Sequence, residues 1–173
     1  MTPNKIYVFH LAEIMLNEIQ NYLQIDAHLS TGGQPTSVQL EEVARSGFQV
    51  VINLAPIHAN YSLPDEKGFV EKLGMGYVHI PVKWSQPTDV DFRRFSDAMQ
   101  ANSHKRVFAH CAANYRVSSF VTIYRILYQG CEKEVALQDL HRIWTPNDTW
   151  QAFIDRILAS GPPDHTSETV NDP

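Results

Sequence analysis

Short apolar segments alternate along this sequence with longer segments of helical periodicity. The apolar segments cover residues 48–54 (FQVVINL), 77–82 (YVHIPV) and 106–109 (RVFA). Because their apolar residues are nearly continuous rather than alternating, these segments are typical of strands that are buried on both faces. A strand, helix, strand, helix order at this spacing predicts an α/β fold, in which helices flank a central, mainly parallel sheet of four to five strands.

Helices are predicted from two signals, the apolar spacing of a helix face and the residues that begin or end a helix. Thr88 and Asp89 are typical of a helix start, and Gly47, Gly74 and Gly130 mark helix ends. The predicted helices cover residues 9–22, 35–47, 64–73, 88–99, 115–128, 135–144 and 148–158.

Length and composition agree with one domain. The chain has 173 residues, of which 43% are hydrophobic, and a chain of this size buries a core without disulfides. Residues 1–160 contain no internal repeat and no long linker, so we expect them to form a single domain. Residues 161–173 (GPPDHTSETVNDP) are polar, proline-rich and without periodicity, and we expect a disordered tail there.

Charge, hydropathy and cysteine usage exclude several classes of partner. The formal net charge of −5 is a poor match for nucleic acid or a membrane surface. No apolar run approaches the roughly 18 residues that a membrane helix needs. Cys111 and Cys131 form no Cys-x-x-Cys pair, so no metal site is predicted. So few cysteines favour a reducing compartment, and we expect a cytoplasmic location.

The segment 107–120 (VFAHCAANYRVSSF) carries most of the chemical information. A predicted strand ends at Ala109, small residues follow, and a helix begins at Tyr115. Backbone N–H groups at such a turn converge on an anion, and the helix N-terminus adds positive potential. Cys111 lies at the base of the loop, where a thiolate is stabilised, and Arg116 can bind two oxygens of a phosphate. The pattern predicts thiol-based phosphoryl transfer with Cys111 as the nucleophile.

The sequence His-Cys-x-x-x-x-Arg after a short strand resembles the phosphate loop of cysteine-dependent protein tyrosine and dual-specificity phosphatases. Residues 30–54 (STGGQPTSVQLEEVARSGFQVVINL) resemble the start of a bacterial subfamily of these phosphatases, and YVHIPV fits that subfamily's next strand. The resemblance covers residues 21–157. It implies the cysteine-phosphatase fold and hydrolysis of a phosphomonoester through a phosphocysteine intermediate, without a cofactor.

The resemblance also implies roles for residues of the loop. Cys111 is the nucleophile, Arg116 binds the phosphate, and Ser118 helps to release the thiolate. The residues expected to bind phosphate are Ala112, Ala113, Asn114, Tyr115, Arg116, Val117 and Ser118. The expected ligand is a phosphorylated substrate or inorganic phosphate, whereas neither the physiological substrate nor the oligomeric state is predicted.

The loop departs from the family's pattern in its spacing. Four residues separate Cys111 from Arg116 where the family has five, yet Ser118 stands where the family expects its hydroxyl. Either the loop is one residue tighter, or it keeps its length and Val117 stands in the usual place of the arginine. Asn114 replaces the usual glycine, a mild change because asparagine tolerates left-handed backbone. A displacement of the arginine by about 1 Å can cost roughly a hundredfold in rate.

The general acid is the second departure. The family uses an Asp on the loop after the preceding strand to protonate the leaving oxygen. After Val82 the sequence reads KWSQPTDVD, in which Asp89 is the first candidate and Asp91 the second. Thr88-Asp89 is also typical of a helix N-cap, and we favour the cap over the acid. All three tryptophans, including the one in this loop, are expected to pack in the core.

Two further functions fit parts of the sequence. The altered arginine spacing also fits a pseudophosphatase, which binds phosphate or a phosphorylated protein without turnover. The Cys-x-x-x-x-Arg loop resembles in size the persulfide-carrying loop of rhodanese sulfurtransferases, although the Gly-Gln-Pro and VINL segments oppose that function. Anion binding without hydrolysis would indicate the pseudophosphatase, and thiosulfate-dependent formation of thiocyanate would indicate the sulfurtransferase. The sequence favours the phosphatase first and the sulfurtransferase last.

Overall fold

The computed structural model describes residues 16–58 and 60–162. Five strands and six helices lie in these two ranges. The strands are β1 (Leu23–Gln24), β2 (Leu29–Gly32), β3 (Val50–Asn53), β4 (Gly76–His79) and β5 (Val107–His110). The helices are α1 (Ser37–Arg45), α2 (Glu66–Lys72), α3 (Asp89–Ala101), α4 (Tyr115–Tyr128), α5 (Lys133–Ile143) and α6 (Asp148–Ser160).

The strands form one sheet in the order β1-β2-β5-β3-β4. β1 runs antiparallel to β2, and all other neighbouring strands run parallel, which confirms the predicted, mainly parallel sheet. β5 lies in the middle, where His110 is in register with Gly32 of β2 and with Asn53 of β3. The carboxyl ends of the parallel strands therefore meet at one edge, and β5 leads directly into Cys111 at that edge.

Each face of the sheet has its own apolar core, because side chains alternate between the two faces of a strand. Ile52 and Ala109 pack on one face with residues of α3, α4 and α6. Val51 and Phe108 pack on the other face with residues of α1 and α2. Burial on both faces explains why the apolar runs of β3 and β5 are nearly continuous in the sequence.

Helix ends follow the capping residues in the sequence. Thr36 caps α1, where its hydroxyl accepts a hydrogen bond from the backbone N–H of Gln39, and the side-chain carbonyl of Gln39 accepts one from the N–H of Thr36. Gly47 follows this helix with a φ of +86°, a conformation that favours glycine. The predicted helix over 115–128 has the bounds of α4.

Strand β2 is not among the strands predicted from the sequence. Its residues, LSTG, contain a single large apolar side chain, yet all four are buried. The burial arises from its position between β1 and β5. At Gly32, a Cβ atom would lie 2.9 Å from Cγ2 of Ile19 and 3.1 Å from the ring of Phe108, so glycine fits where a larger residue would not.

Two predictions fall partly outside the described residues. Of the helix predicted over 9–22, residues 9–15 lie outside them, residues 16–17 are helical, and residues 18–21 form turns and a bend instead. Of the predicted tail over 161–173, only Gly161 and Pro162 are described. Within the two described ranges, no helix has the length and apolar character needed to cross a membrane.

Candidate active site

A short loop joins β5 to α4 at the carboxyl edge of the sheet. Cys111 begins this loop as a free, fully buried thiol, and its N–H donates to the carbonyl of Gly32 at 3.3 Å. Asn114 ends the loop as the N-cap of α4, with a left-handed φ of +67°. Asparagine adopts this conformation more readily than most residues, which agrees with the expectation from the sequence.

The carbonyl groups of the loop accept hydrogen bonds from residues that lie much earlier in the chain. The N–H of Gln34 donates to the carbonyl of Ala112 at 3.0 Å, and the Asn21 side chain donates to the carbonyl of Ala113 at 2.9 Å. The Asn114 side chain donates in return to the Asn21 carbonyl at 2.7 Å. These contacts fix the carbonyls of the loop, and with them its shape.

Five amide groups of the loop and of the helix turn that follows it have no such partners. Within the described part of the chain, no acceptor takes the N–H groups of Ala112, Ala113, Tyr115, Arg116 and Val117. The last three belong to the first turn of α4, where helix geometry provides no acceptor and the helix dipole is positive. A run of free donors at a helix N-terminus is a site for an anion such as phosphate.

Arg116 lies in the first turn of α4 and supplies the positive charge of the loop. It is 9% exposed, and its Nε is buried without a hydrogen-bond partner among the described residues. Its guanidinium lies over the ring of Trp84, 5.4 Å from the ring centroid, in a cation–π contact. The next residue, Val117, is fully buried in the apolar core, so Arg116 is the cationic side chain of this loop.

Aromatic rings surround Trp84. We use the name aromatic cluster for Trp84, Tyr115, Trp144 and Trp150, whose neighbouring ring centroids lie 4.7–6.3 Å apart. Trp150 is fully buried, as predicted, and its Nε1 donates to the Trp84 carbonyl at 3.0 Å. Trp84 itself is 38% exposed, so it packs at the surface beside Arg116 rather than in the core.

The two candidate acids are bound to other groups. Thr88 is the N-cap of α3, as the sequence favoured, and Asp91 is its partner in the capping box. Asp89 is exposed and forms an ion pair with Arg156 of α6. Neither carboxylate hydrogen-bonds to the loop in the part of the chain that is described.

Ser118 and Cys131 complete the residues that the sequence singled out. The hydroxyl of Ser118 donates to the carbonyl of Tyr115 at 3.1 Å, inside the first turn of α4. Its role in releasing the thiolate therefore stays a prediction. Cys131 lies past the other end of α4, where its N–H donates to the carbonyl of Arg125. The helix therefore separates the two cysteines.

A buried polar network, not predicted from the sequence, lies behind the loop. Nε2 of His110 is 2.7 Å from Oε1 of Glu66, and Nε2 of Gln34 donates to Oε2 of Glu66 at 2.7 Å. Burial opposes ionisation of Glu66, but the hydrogen bond and charge of His110, with Gln34 and Tyr77, outweigh it and lower its pKa. Glu66 precedes His110 by 44 residues, so no local motif connects them.

The chain is similar in sequence and fold to phosphatases. Residues 8–151 match the model of a family described as "DSP-PTPase phosphatase fused to NAD+ Kinase". A crystal structure called "Putative phosphatase (DUF442)", from Shewanella putrefaciens CN-32, is 33% identical, with a TM-score of 0.76. That match covers 86% of this chain and 97% of the Shewanella chain.

Two further similarities are more limited. The beta-lactamase hydrolase-like protein of Agrobacterium fabrum is 29% identical over 121 residues, which is 68% of this chain. The present chain spans only 27% of the length of that relative. A cysteine-to-serine variant of TpbA from P. aeruginosa, in complex with phosphotyrosine, is 17% identical with a TM-score of 0.63. The TpbA match covers 81% of this chain and 89% of the TpbA chain, and it shows a shared fold.

Proposed function

The chain belongs to the family of DSP-PTPase phosphatases fused to NAD+ kinase, and from this premise we propose that it hydrolyses phosphomonoesters through a phosphocysteine intermediate on Cys111. One observation carries the proposal. A buried thiol begins a loop in which the amides of Ala112, Ala113 and the first turn of α4, together with Nε of Arg116, donate to no group of the described chain. Nucleophile, amide donors and guanidinium are the groups that thiol-based phosphoryl transfer requires.

The reaction has two displacements at phosphorus. First, Sγ of Cys111 attacks phosphorus as the thiolate, the S–P bond forms, and the P–O bond to the leaving group breaks as its oxygen takes a proton. Then a water oxygen attacks phosphorus, the P–S bond breaks, and the thiolate and inorganic phosphate are released. In both steps the free amides bind the non-bridging oxygens. Because Asn21 and Gln34 bind the loop carbonyls, these donors are oriented before the substrate arrives.

Arg116 stabilises the negative charge that the phosphoryl oxygens carry through both steps. Its guanidinium can donate two parallel hydrogen bonds to phosphate oxygens, which a lysine cannot reproduce. The cation–π contact with Trp84 holds the guanidinium beside the loop. Anchored by Trp150, Trp84 can keep that position when substrate enters.

Asp89 stays the predicted general acid, and the choice of leaving group tests it. To protonate a leaving oxygen, Asp89 must first exchange its ion pair with Arg156. A weakly basic leaving group such as p-nitrophenolate departs without an acid, whereas an alkoxide needs one. If Asp89 is the acid, Asp89→Asn lowers kcat for an alkyl phosphate by about a hundredfold and barely changes kcat for p-nitrophenyl phosphate. Asp91→Asn serves as the comparison, because Asp91 belongs to the helix cap.

The first experiment measures hydrolysis of p-nitrophenyl phosphate across a pH series, with matched cysteine variants. We expect Cys111→Ser to abolish turnover and Cys131→Ser to leave kcat and KM unchanged, because Cys131 lies outside the loop. Phosphotyrosine is the second substrate, since a TpbA variant of the same fold is known bound to it. Equal turnover by Cys111→Ser and the unmodified protein would contradict the phosphocysteine intermediate.

A phosphate-binding protein without turnover is the second candidate. The observation that favours it is the pairing of Asp89 with Arg156, since no other carboxylate has been assigned as the acid. Calorimetric titration with inorganic phosphate distinguishes the two. Phosphate binding that Arg116→Ala abolishes, with no hydrolysis of either substrate, would indicate binding alone. Loss of both binding and hydrolysis would leave the sulfurtransferase reaction to be tested with thiosulfate and cyanide.

A further inference from the structure

Glu66 is linked to both residues that flank Cys111 in the chain. It contacts His110 directly and Ala112 through Gln34. His110 precedes Cys111, and its Nε2 is 2.7 Å from Oε1 of Glu66. Ala112 follows Cys111, and its carbonyl accepts from the N–H of Gln34, whose side chain donates to Oε2 of Glu66 at 2.7 Å. The two oxygens of one carboxylate thus brace the peptide units on either side of the nucleophile.

The ring of His110 is fully buried between two oxygen acceptors. Nε2 faces the Glu66 carboxylate, and Nδ1 lies 3.4 Å from the carbonyl oxygen of Cys111. A neutral imidazole has one N–H and satisfies one of these acceptors, whereas the cationic ring satisfies both. A buried cation needs a compensating charge, and the ionised Glu66 carboxylate supplies it. The ring therefore lies between the Glu66 carboxylate and the backbone carbonyl of Cys111.

Other groups around this pair are polar but uncharged. Asn53 of β3 donates to Oε1 of Glu66 at 3.3 Å and to the hydroxyl of Tyr77 at 3.1 Å. Burial and the charge of Glu66 raise the pKa of Tyr77, which keeps this hydroxyl neutral. The Phe108 ring stacks on His110 at 5.9 Å. On the other side of the loop, Arg116 and the free amides face the anion site.

From this geometry we infer that Glu66 is a positioning residue, which acts through His110 and Gln34 to orient Cys111 and to favour its thiolate. The inference rests on the proposed phosphatase function, because it concerns the same nucleophile. Glu66 makes no contact with the free amides of the loop, and it therefore acts at a distance from the phosphate. Its removal should change the nucleophile more than it changes the affinity for phosphate.

The variant Glu66→Gln keeps the shape of the side chain and removes its charge. Without the carboxylate, a positive charge on the His110 ring is no longer compensated, so we expect the thiolate of Cys111 to form at higher pH. We expect the midpoint of thiolate formation to rise by about one pH unit. We also expect kcat for p-nitrophenyl phosphate to fall about tenfold with little change in KM, because the nucleophile is less well oriented.

The thiolate is measured by its absorbance at 240 nm between pH 4 and 8, as the difference between each protein and its Cys111→Ser counterpart. This readout needs neither turnover nor access of a reagent to the buried thiol. Glu71→Gln is the matched control, since Glu71 lies on the same helix, is exposed and pairs with Lys67. We expect the control to match the unmodified protein in midpoint, kcat and KM.

A Glu66→Gln protein that melts like the control but keeps the unmodified midpoint and pH–rate profile would overturn the inference. If Glu66→Gln does not fold, Gln34→Ala removes the side-chain hydrogen bond that links Glu66 to Gln34 and keeps the backbone N–H that donates to the Ala112 carbonyl. It should lower kcat without moving the midpoint, and an unchanged kcat would reject the bracing role. If the unmodified protein shows no turnover, the proposed function fails, and the 240 nm titration still decides whether Glu66 acts on the thiol.

Discussion

Two arginines of α4 show what distinguishes a binding side chain from a structural one. Arg116 and Arg125 are both 9% exposed. Arg125 forms an ion pair with Asp139 at 2.7 Å, whereas no carboxylate of the described chain pairs with Arg116. A buried guanidinium without a carboxylate partner is destabilising unless an anion or an aromatic face compensates it. Trp84 compensates Arg116 only in part, so an anion is the expected further partner.

We expect Arg116→Lys to weaken the binding of inorganic phosphate by about ten- to a hundredfold, because an ammonium group cannot form the paired hydrogen bonds of a guanidinium. Isothermal titration calorimetry measures the change in Kd. Arg125→Lys is the control on the same helix and should bind phosphate like the unmodified protein. Equal Kd values for the two variants would argue against a phosphate contact at Arg116.

At the scale of residues, the sequence could predict only contacts within one segment. Cys111, Asn114 and Arg116 lie close together in the chain, so a motif predicts that they share one loop, as they do. Glu66 and Gln34 reach the same loop through side chains from distant elements, and neither has a local signal. Asp89 shows the converse, because proximity to the preceding strand suggested an acid and the fold pairs it with Arg156.

The strands and helices were predictable where their own residues determine them. α4 has its predicted bounds, and α3 begins at its predicted capping residue, Thr88. β2 is the exception, because its burial comes from β1 and β5 rather than from apolar residues of its own. Gly32 is central to this packing, since a Cβ atom there would lie 2.9 Å from Ile19 and 3.1 Å from the ring of Phe108.

Gly32→Ala should therefore destabilise the protein by about 1–3 kcal/mol, because its Cβ would overlap the Ile19 side chain. Gly76→Ala in β4 is the matched control. Its Cβ would lie 3.6 Å from Cγ2 of Val50, an ordinary contact, and the cost should stay below about 1 kcal/mol. Urea unfolding monitored by circular dichroism gives both free energies. If the two substitutions lower the free energy of unfolding equally, a Cβ atom is accommodated at Gly32 as easily as at Gly76.

At the scale of the molecule, the order of the strands assembles the site. β5 lies between β2 and β3, so the loop after it lies beside residues that follow both neighbours. Gln34 comes from the β2 side, and Asn53 from the end of β3. The alternating pattern predicted the parallel sheet, but it carries no information on strand order, which depends on how the helices cover the two faces.

Because the proposed phosphate site uses Asn21, Gln34 and the loop together, only the folded chain presents it. A ligand that binds only the folded state stabilises it by RT ln(1 + [L]/Kd), or about 2.7 kcal/mol at a hundredfold excess over Kd. We therefore expect Tm to rise steadily with the logarithm of phosphate concentration. Differential scanning calorimetry tests this, with sodium chloride at equal ionic strength as the control. A Tm that follows ionic strength alone would contradict a specific site.

The free amides of the loop also connect heat resistance to product inhibition. Inorganic phosphate is the last species to leave the proposed reaction, and it would be held by the same donors that hold the substrate. The Kd obtained from the rise in Tm and the competitive Ki of phosphate against p-nitrophenyl phosphate should then be one constant at one temperature. Each substitution in the loop should shift both by the same factor, so a melting curve reports how strongly the enzyme retains its own product.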